Sequence, residues 1–103
     1  MIYYQYVKSC LRHQAYQFQL HMLTEQQFYL LKQFIRSLGN NTNPTDFPVL
    51  HIKHTLFFID FPNYGFPYFK FTFYKTTPAQ EVEYYLTKTN HFLNTLLSKE
   101  EVT

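Results

Sequence analysis

Tryptophan is absent from this 103-residue chain, glycine and arginine occur twice each, and cysteine occurs once. Each scarcity closes off something. With Cys10 alone, no disulfide within the chain can form, which fits a reducing compartment. Two glycines leave no Gly-rich phosphate loop. With only Arg12 and Arg36, bidentate contacts to phosphate or carboxylate are few. No apolar run approaches the roughly 20 residues of a membrane span. The opening Met1-Ile-Tyr-Tyr-Gln has neither the basic nor the apolar region of a secretion signal, so the expected location is the cytoplasm and no membrane partner is expected. A net charge of +2 and a pI near 8.6 permit a nucleic-acid partner without pointing to one.

What is abundant is aromatic: 12 Phe and 10 Tyr, 21% of the chain. A chain of this length is expected to form one domain, 1–103, and to bury roughly two-thirds of its unfolded surface without a disulfide or metal. Part of the bias has another source. Phe, Tyr, Ile, Asn and Lys have AT-rich codons, and low-GC bacteria, their phages and their plasmids share this composition.

Periodicity predicts the elements. Tyr16, Phe18, Leu20 and Met22 alternate with Gln17, Gln19 and His21, which predicts a half-buried strand over 15–22. Thr24 with Gln27 is a capping box. Phe28, Leu31, Phe34, Ile35 and Leu38 follow at helical spacing, giving a helix over 24–38 closed by Gly39-Asn40-Asn41. Residues 40–48 read as a loop, 49–61 as one long strand, 62–67 as a Gly-containing turn and 68–75 as its hairpin partner. Thr77-Pro78-Ala79-Gln80 repeats the capping box before a helix over 78–98, and 98–103 reads as a polar tail. Ile2, Tyr4 and Tyr6 suggest a first strand over 2–7, turning through 8–14. The fold class is therefore α+β: a small antiparallel sheet of three to four strands, ββα-ββα or βαββα, with two amphipathic helices on one face.

The other sheet face is then free to bind. Alternation assigns to it Gln17, Gln19, His21, His51, Lys53, Thr55, Tyr68, Lys70, Thr72 and Tyr74, with Phe57 and Ile59 on the same side of the long strand. Tyr64 and Phe66 stand in the exposed turn. Tyr gives contact area at low entropy cost, and Tyr beside Lys also suits single-stranded nucleic acid. Tyr64, Phe66, Tyr68, Lys70, Tyr74, Lys53 and His51 are the candidate binding residues. The same face could equally be a solvated surface of cross-strand pairs.

Two stretches resemble known families. Tyr64-Gly65-Phe66-Pro67-Tyr68-Phe69-Lys70-Phe71 resembles the RNP1 octamer of RNA-recognition motifs. Gly65, Phe66, Tyr68 and Phe71 match. Tyr64 replaces a basic residue and Pro67 a small one. The resemblance implies a fourth strand after the second helix, for which only 98–103 remain. Tyr85-Leu86-Thr87-Lys88 resembles the Tyr-x-x-Lys helix of rolling-circle nickases. That family's His-hydrophobic-His strand is not matched by His51-Ile52-Lys53-His54, whose histidines point to opposite faces.

No other arrangement carries chemistry. Cys10 and His13 are close in sequence, which is not yet geometry. His21 and His51 lack a third ligand. No catalytic residue, metal or cofactor is expected, and the chain reads as a non-enzyme. Small size, composition and missing chemistry lead to the expectation of a binding protein acting through protein–protein contact, such as a phage or mobile-element inhibitor of the anti-CRISPR kind. The alternatives are a single-stranded nucleic-acid-binding sheet and, remotely, a nickase remnant. A homodimer closed over the exposed aromatics is a further arrangement to weigh.

Overall fold

The strand expected over 15–22 forms two residues early and stops early. In the computed structural model, which describes residues 1–42 and 49–101, it spans His13–Gln19 and is the second element, β2. Before it lies β1 (Tyr4–Ser9), and after it come α1 (Glu25–Arg36), β3 (Asn40–Asn41), β4 (Leu50–Lys53), β5 (Phe57–Phe61), β6 (Tyr68–Tyr74) and α2 (Ala79–Glu101). The fold is α+β, with one sheet of six strands in the order β1-β2-β6-β5-β4-β3, each neighbouring pair antiparallel. The expected three to four strands undercount it, for two reasons.

First, the long strand over 49–61 is itself a hairpin. Its turn, His54-Thr55-Leu56, contains no Gly, Pro, Asn or Asp. The His54 ring supplies what those residues would, its Nδ1 accepting from the Leu56 N–H at 3.1 Å, while the His54 N–H donates to the Phe57 carbonyl at 2.9 Å. The turn shifts the alternation by one. Phe57 and Ile59, expected on the open face, are buried beneath the helices, and Phe58 takes the open side.

Second, Asn40-Asn41 is an edge strand, not the start of a loop, pairing with Lys53 and Ile52. The rest of the expected loop, 43–48, lies outside the described residues. Gly39 serves this pairing: a Cβ there would sit 2.5 Å from the Lys53 carbonyl oxygen. The helix instead ends at Ser37, whose backbone N–H reaches the Gln33, Phe34 and Ile35 carbonyls.

The Thr24–Gln27 capping box forms as expected: the Gln27 N–H donates to the Thr24 hydroxyl at 3.2 Å and the Thr24 N–H to Gln27 Oε1 at 2.9 Å. Thr77 is used differently from the expected second box. Its hydroxyl donates to the Leu56 carbonyl at 2.6 Å, pinning the start of α2 to the β4–β5 turn. The expected polar tail is helical to Glu101. The turn between β1 and β2 is shorter than 8–14, with the Cys10 N–H donating to the His13 carbonyl at 2.8 Å.

Both helices lie on one face. Phe18, Phe69, Phe71, Phe73, Phe57, Ile59, Phe61, Leu50 and Ile52 point to them and are fully buried or nearly so. Phe28 meets Phe61 at 5.0 Å, Tyr85 meets Phe57 at 4.8 Å, and Phe34 stacks on Phe92 at 4.4 Å between the helices. The inward aromatic excess is thus accounted for by packing.

The connection β2–α1–β5–β6–α2 places β2 and β5 parallel to each other on either side of β6. β3 and β4 intervene between α1 and β5 and extend the sheet beyond β5. The other edge of β2 is paired by β1.

Candidate functional site

The uncovered face is built from cross-strand rows. One row runs Gln5, Gln17, Lys70, Asp60 and His51, and the next runs Lys8, Ala15, Thr72, Phe58, Lys53 and Asn40. Tyr68 pairs with Gln19 at one end and Tyr74 with His13 at the other. Of the expected residues, Tyr68, Lys70 and Tyr74 share β6, and His51 and Lys53 share β4. They are separated by β5, whose Phe58 and Asp60 the sequence reading did not place here. His21 and Thr55 are not on the face: both are in turns.

His51 Nδ1 lies 2.6 Å from Asp60 Oδ1, so the carboxylate is already engaged. Phe58 sits among His13, Tyr74 and His51, with ring centroids 5.6, 5.9 and 5.7 Å away. Those rings brace one another, and Tyr68 is the exposed aromatic that β6 adds. The centre of the face, Ala15, Gln17, Lys70 and Thr72, carries no aromatic ring. An RNA-recognition platform needs stacked rings on its central strands, and only Tyr68 fits. In the RNP1-like stretch Phe66 and Tyr68 are exposed, while Phe71 is buried against the helices.

Acids, not cations, are segregated: the helices also carry Lys32, Arg36, Lys88 and Lys99. The strands and their turns carry Lys8, Arg12, Lys53, Lys70 and Lys75. Asp60 is their one carboxylate among the described residues, and Glu25, Glu81, Glu83, Glu100 and Glu101 belong to the helices. The uncovered face is therefore cationic.

The turn 62–67 adjoins this face. Gly65 has φ 109°, a conformation open to glycine, and the Phe66 N–H reaches the Asn63 carbonyl at 3.4 Å. The Leu20 N–H donates to the Pro67 carbonyl at 2.8 Å, tying the turn to the end of β2. Tyr64, 47% exposed, rests edge-on against Phe28 at 5.4 Å, and Phe66 is 60% exposed. Tyr29 of α1 also meets Phe28 at 5.4 Å and is exposed beside Leu30. Tyr29 was hidden in the sequence because it lies off the apolar stripe. Phe28, its neighbour on α1, carries both this ring and Tyr64.

The nickase-like residues do not assemble. Tyr85 packs against Phe57 and His54 on the helix side, whereas His51 faces the open side. Among the described residues no three His, Cys, Asp or Glu side chains group as metal ligands, and no helix is long and apolar enough to cross a membrane. No protein-family model, curated protein or solved structure matches the chain.

Proposed function

We propose that this chain is a non-enzymatic binding protein that occupies an acidic patch on a protein partner. The aromatic turn Tyr64–Phe66 with Tyr68 would anchor the contact, and Lys70 and Lys53 would complement its charge. The supporting observation is a pre-ordered, exposed aromatic tip next to a cationic sheet face, the combination of rigid ring anchors and charge complementarity that strong interfaces use. An inhibitor from a phage or mobile element is one form of such a protein, and composition and size support that form.

The test is capture of a partner by the tagged chain, followed by repetition with Tyr64→Ala/Phe66→Ala. Anchors of this kind contribute about 2 kcal/mol or more each, so the double variant is expected to lose the partner while its unfolding midpoint stays unchanged. Capture that survives the double variant contradicts the proposal. A concentration-dependent self-association abolished by the same variant would assign the tip to a homodimer instead.

A second reading, single-stranded nucleic acid on the sheet, is favoured by Lys8, Lys53 and Lys70 lying on one face with Tyr68. It predicts oligonucleotide affinity that falls steeply with salt and weakens in Lys53→Gln and Lys70→Gln. No binding at low salt eliminates it.

A further inference from the structure

Two helices packed side by side, about 10 Å apart, cover roughly four strands spaced about 4.8 Å from one another. This sheet has six, and β1 lies at its edge. Helix-side residues of β1 and β2 therefore stand beside α2 rather than beneath it. Tyr4 pairs with the buried Phe18, and Tyr6 with Tyr16, which sets these tyrosines on the helix side. Between them and α2 runs a groove of about 380 Å³. Tyr4, Gln14 and Tyr16 line it from the sheet, and Val82, Glu83 and Leu86 from α2.

A clip fixes the spacing of its walls. The Tyr3 N–H donates to Asn90 Oδ1 at 2.8 Å, and the side-chain amides of Asn90 and Asn94 each donate to the Met1 carbonyl at 2.9 Å. Residues 1–3 thereby tie the start of β1 to α2, one turn beyond Leu86. Within the groove the Tyr16 ring stands nearly perpendicular to Tyr4 and to Tyr6, at 76° and 72°, with centroids 6.3 and 5.4 Å away. Desolvation, and after it Tyr6 and Tyr4, raises the Tyr16 hydroxyl above its ordinary value. The corner is thus partly shielded from water, where a cation over a ring is held more strongly than at an open surface. Glu83 is the one charged residue of the lining. No ion pair engages it among the described residues. Lys75 donates to the Ser9 hydroxyl instead, and Lys88 lies over the Tyr84 ring at 5.6 Å.

We propose that this groove binds a small organic ammonium ion, its charged head against the rings of Tyr4 and Tyr16, with Glu83 as counter-ion and the carbon arm on Val82 and Leu86. Three features select that class. The faces of aromatic rings carry the negative part of the quadrupole and attract cations. A single unpaired carboxylate complements a positive ligand and repels an anion. The apolar wall suits an alkylated nitrogen, whereas a hard metal ion would need several oxygen ligands and finds one carboxylate. The groove lies on the opposite side of the sheet from Lys53 and Lys70, so it is separate from the contact surface proposed above.

The test is an NMR titration of the full chain with choline and with its neutral isostere, the alcohol in which carbon replaces the ammonium nitrogen. Choline is expected to shift the signals of Tyr4, Tyr16, Val82 and Leu86 saturably. It should bind about tenfold more tightly than the alcohol, the combined effect of the ring contacts and one carboxylate near water. Glu83 is exposed, so Glu83→Gln leaves the packing untouched. That variant should weaken choline about fivefold and leave the alcohol unchanged, a split that misfolding would not give. Tyr4→Leu keeps an apolar wall and should bring the two affinities closer together. Equal affinity of the two probes for the unaltered chain overturns the proposal, as does choline binding that Glu83→Gln does not weaken. So does the absence of saturable shifts in the groove, or their appearance around Tyr84 and Lys88 instead.

Discussion

The Asp60 carboxylate is held by His51 across the β4–β5 pair at 2.6 Å, with both side chains about a third or more exposed, at 34% and 42%. A pair so accessible to water contributes about 0–1 kcal/mol. Its larger effect is on the character of the face, because it occupies the one carboxylate there among the described residues. Asp60→Asn is therefore expected to change the urea midpoint little, by less than about 1 kcal/mol, and to preserve or tighten binding of an acidic partner. A binding titration beside a denaturation curve checks both. Weakened binding at unchanged stability would mean that Asp60 itself makes a contact.

The core depends on Phe71, which is fully buried between Phe57, Phe18 and Phe73 at 4.9, 6.2 and 4.7 Å. Phe71→Ala is expected to cost about 3–5 kcal/mol, seen as a lower denaturant midpoint with little change of slope. Tyr68→Ala, three positions earlier and exposed, should cost far less.

The two glycines should respond differently to alanine. At Gly39 the added Cβ meets backbone at 2.5 Å, the Lys53 carbonyl oxygen, and backbone cannot swing away. Overpacking of this kind costs about 1–3 kcal/mol, and amide exchange should quicken first in β3 and β4. Gly65→Ala meets no atom and loses only the ease of φ 109°, at about 1 kcal/mol. Equal exchange patterns in the two variants would contradict this assignment.

Alkaline pH should loosen the β1 side of the sheet. Desolvation, followed by the neighbouring Tyr6 and Tyr4, raises the Tyr16 hydroxyl above its ordinary value. The folded state therefore resists an ionisation that the unfolded chain undergoes freely near pH 10. The stability is intact below the unfolded value and is lost as pH rises through it towards the folded one. Urea midpoints should fall above about pH 10, and Tyr16→Phe should remove part of that fall.

The α+β class, both helices and β6 were legible because their periods run unbroken over many residues. Phe28, Leu31 and Ile35 mark α1, and Phe69, Phe71 and Phe73 mark β6. The β4–β5 hairpin was not legible, because a histidine side chain closes a turn in which no usual turn residue stands. That single miss inverted Phe57, Phe58 and Ile59 and hid Asp60. Of the candidate residues of β6 and the 62–67 turn, Tyr64, Phe66, Tyr68 and Lys70 are exposed and Tyr74 is half-buried. What no local pattern could show was register. The row that joins Lys8, Ala15, Thr72 and Phe58 draws on four strands, and no single strand reveals it.

Because β2 lies between β1 and β6, the sheet is assembled out of chain order. The hairpin of β1 and β2 is complete by Gln19, yet β2 must wait for residues 68–74 before its second edge is paired. A lone hairpin is marginal in water, and long-range pairing slows folding. Until β6 arrives, Phe18 and Tyr16 have no core and β2 offers an open ladder to any other chain. The zipping of β2 to β6 is thus the step expected to limit folding, and an intermediate trapped before it would be the species prone to stick to its own kind.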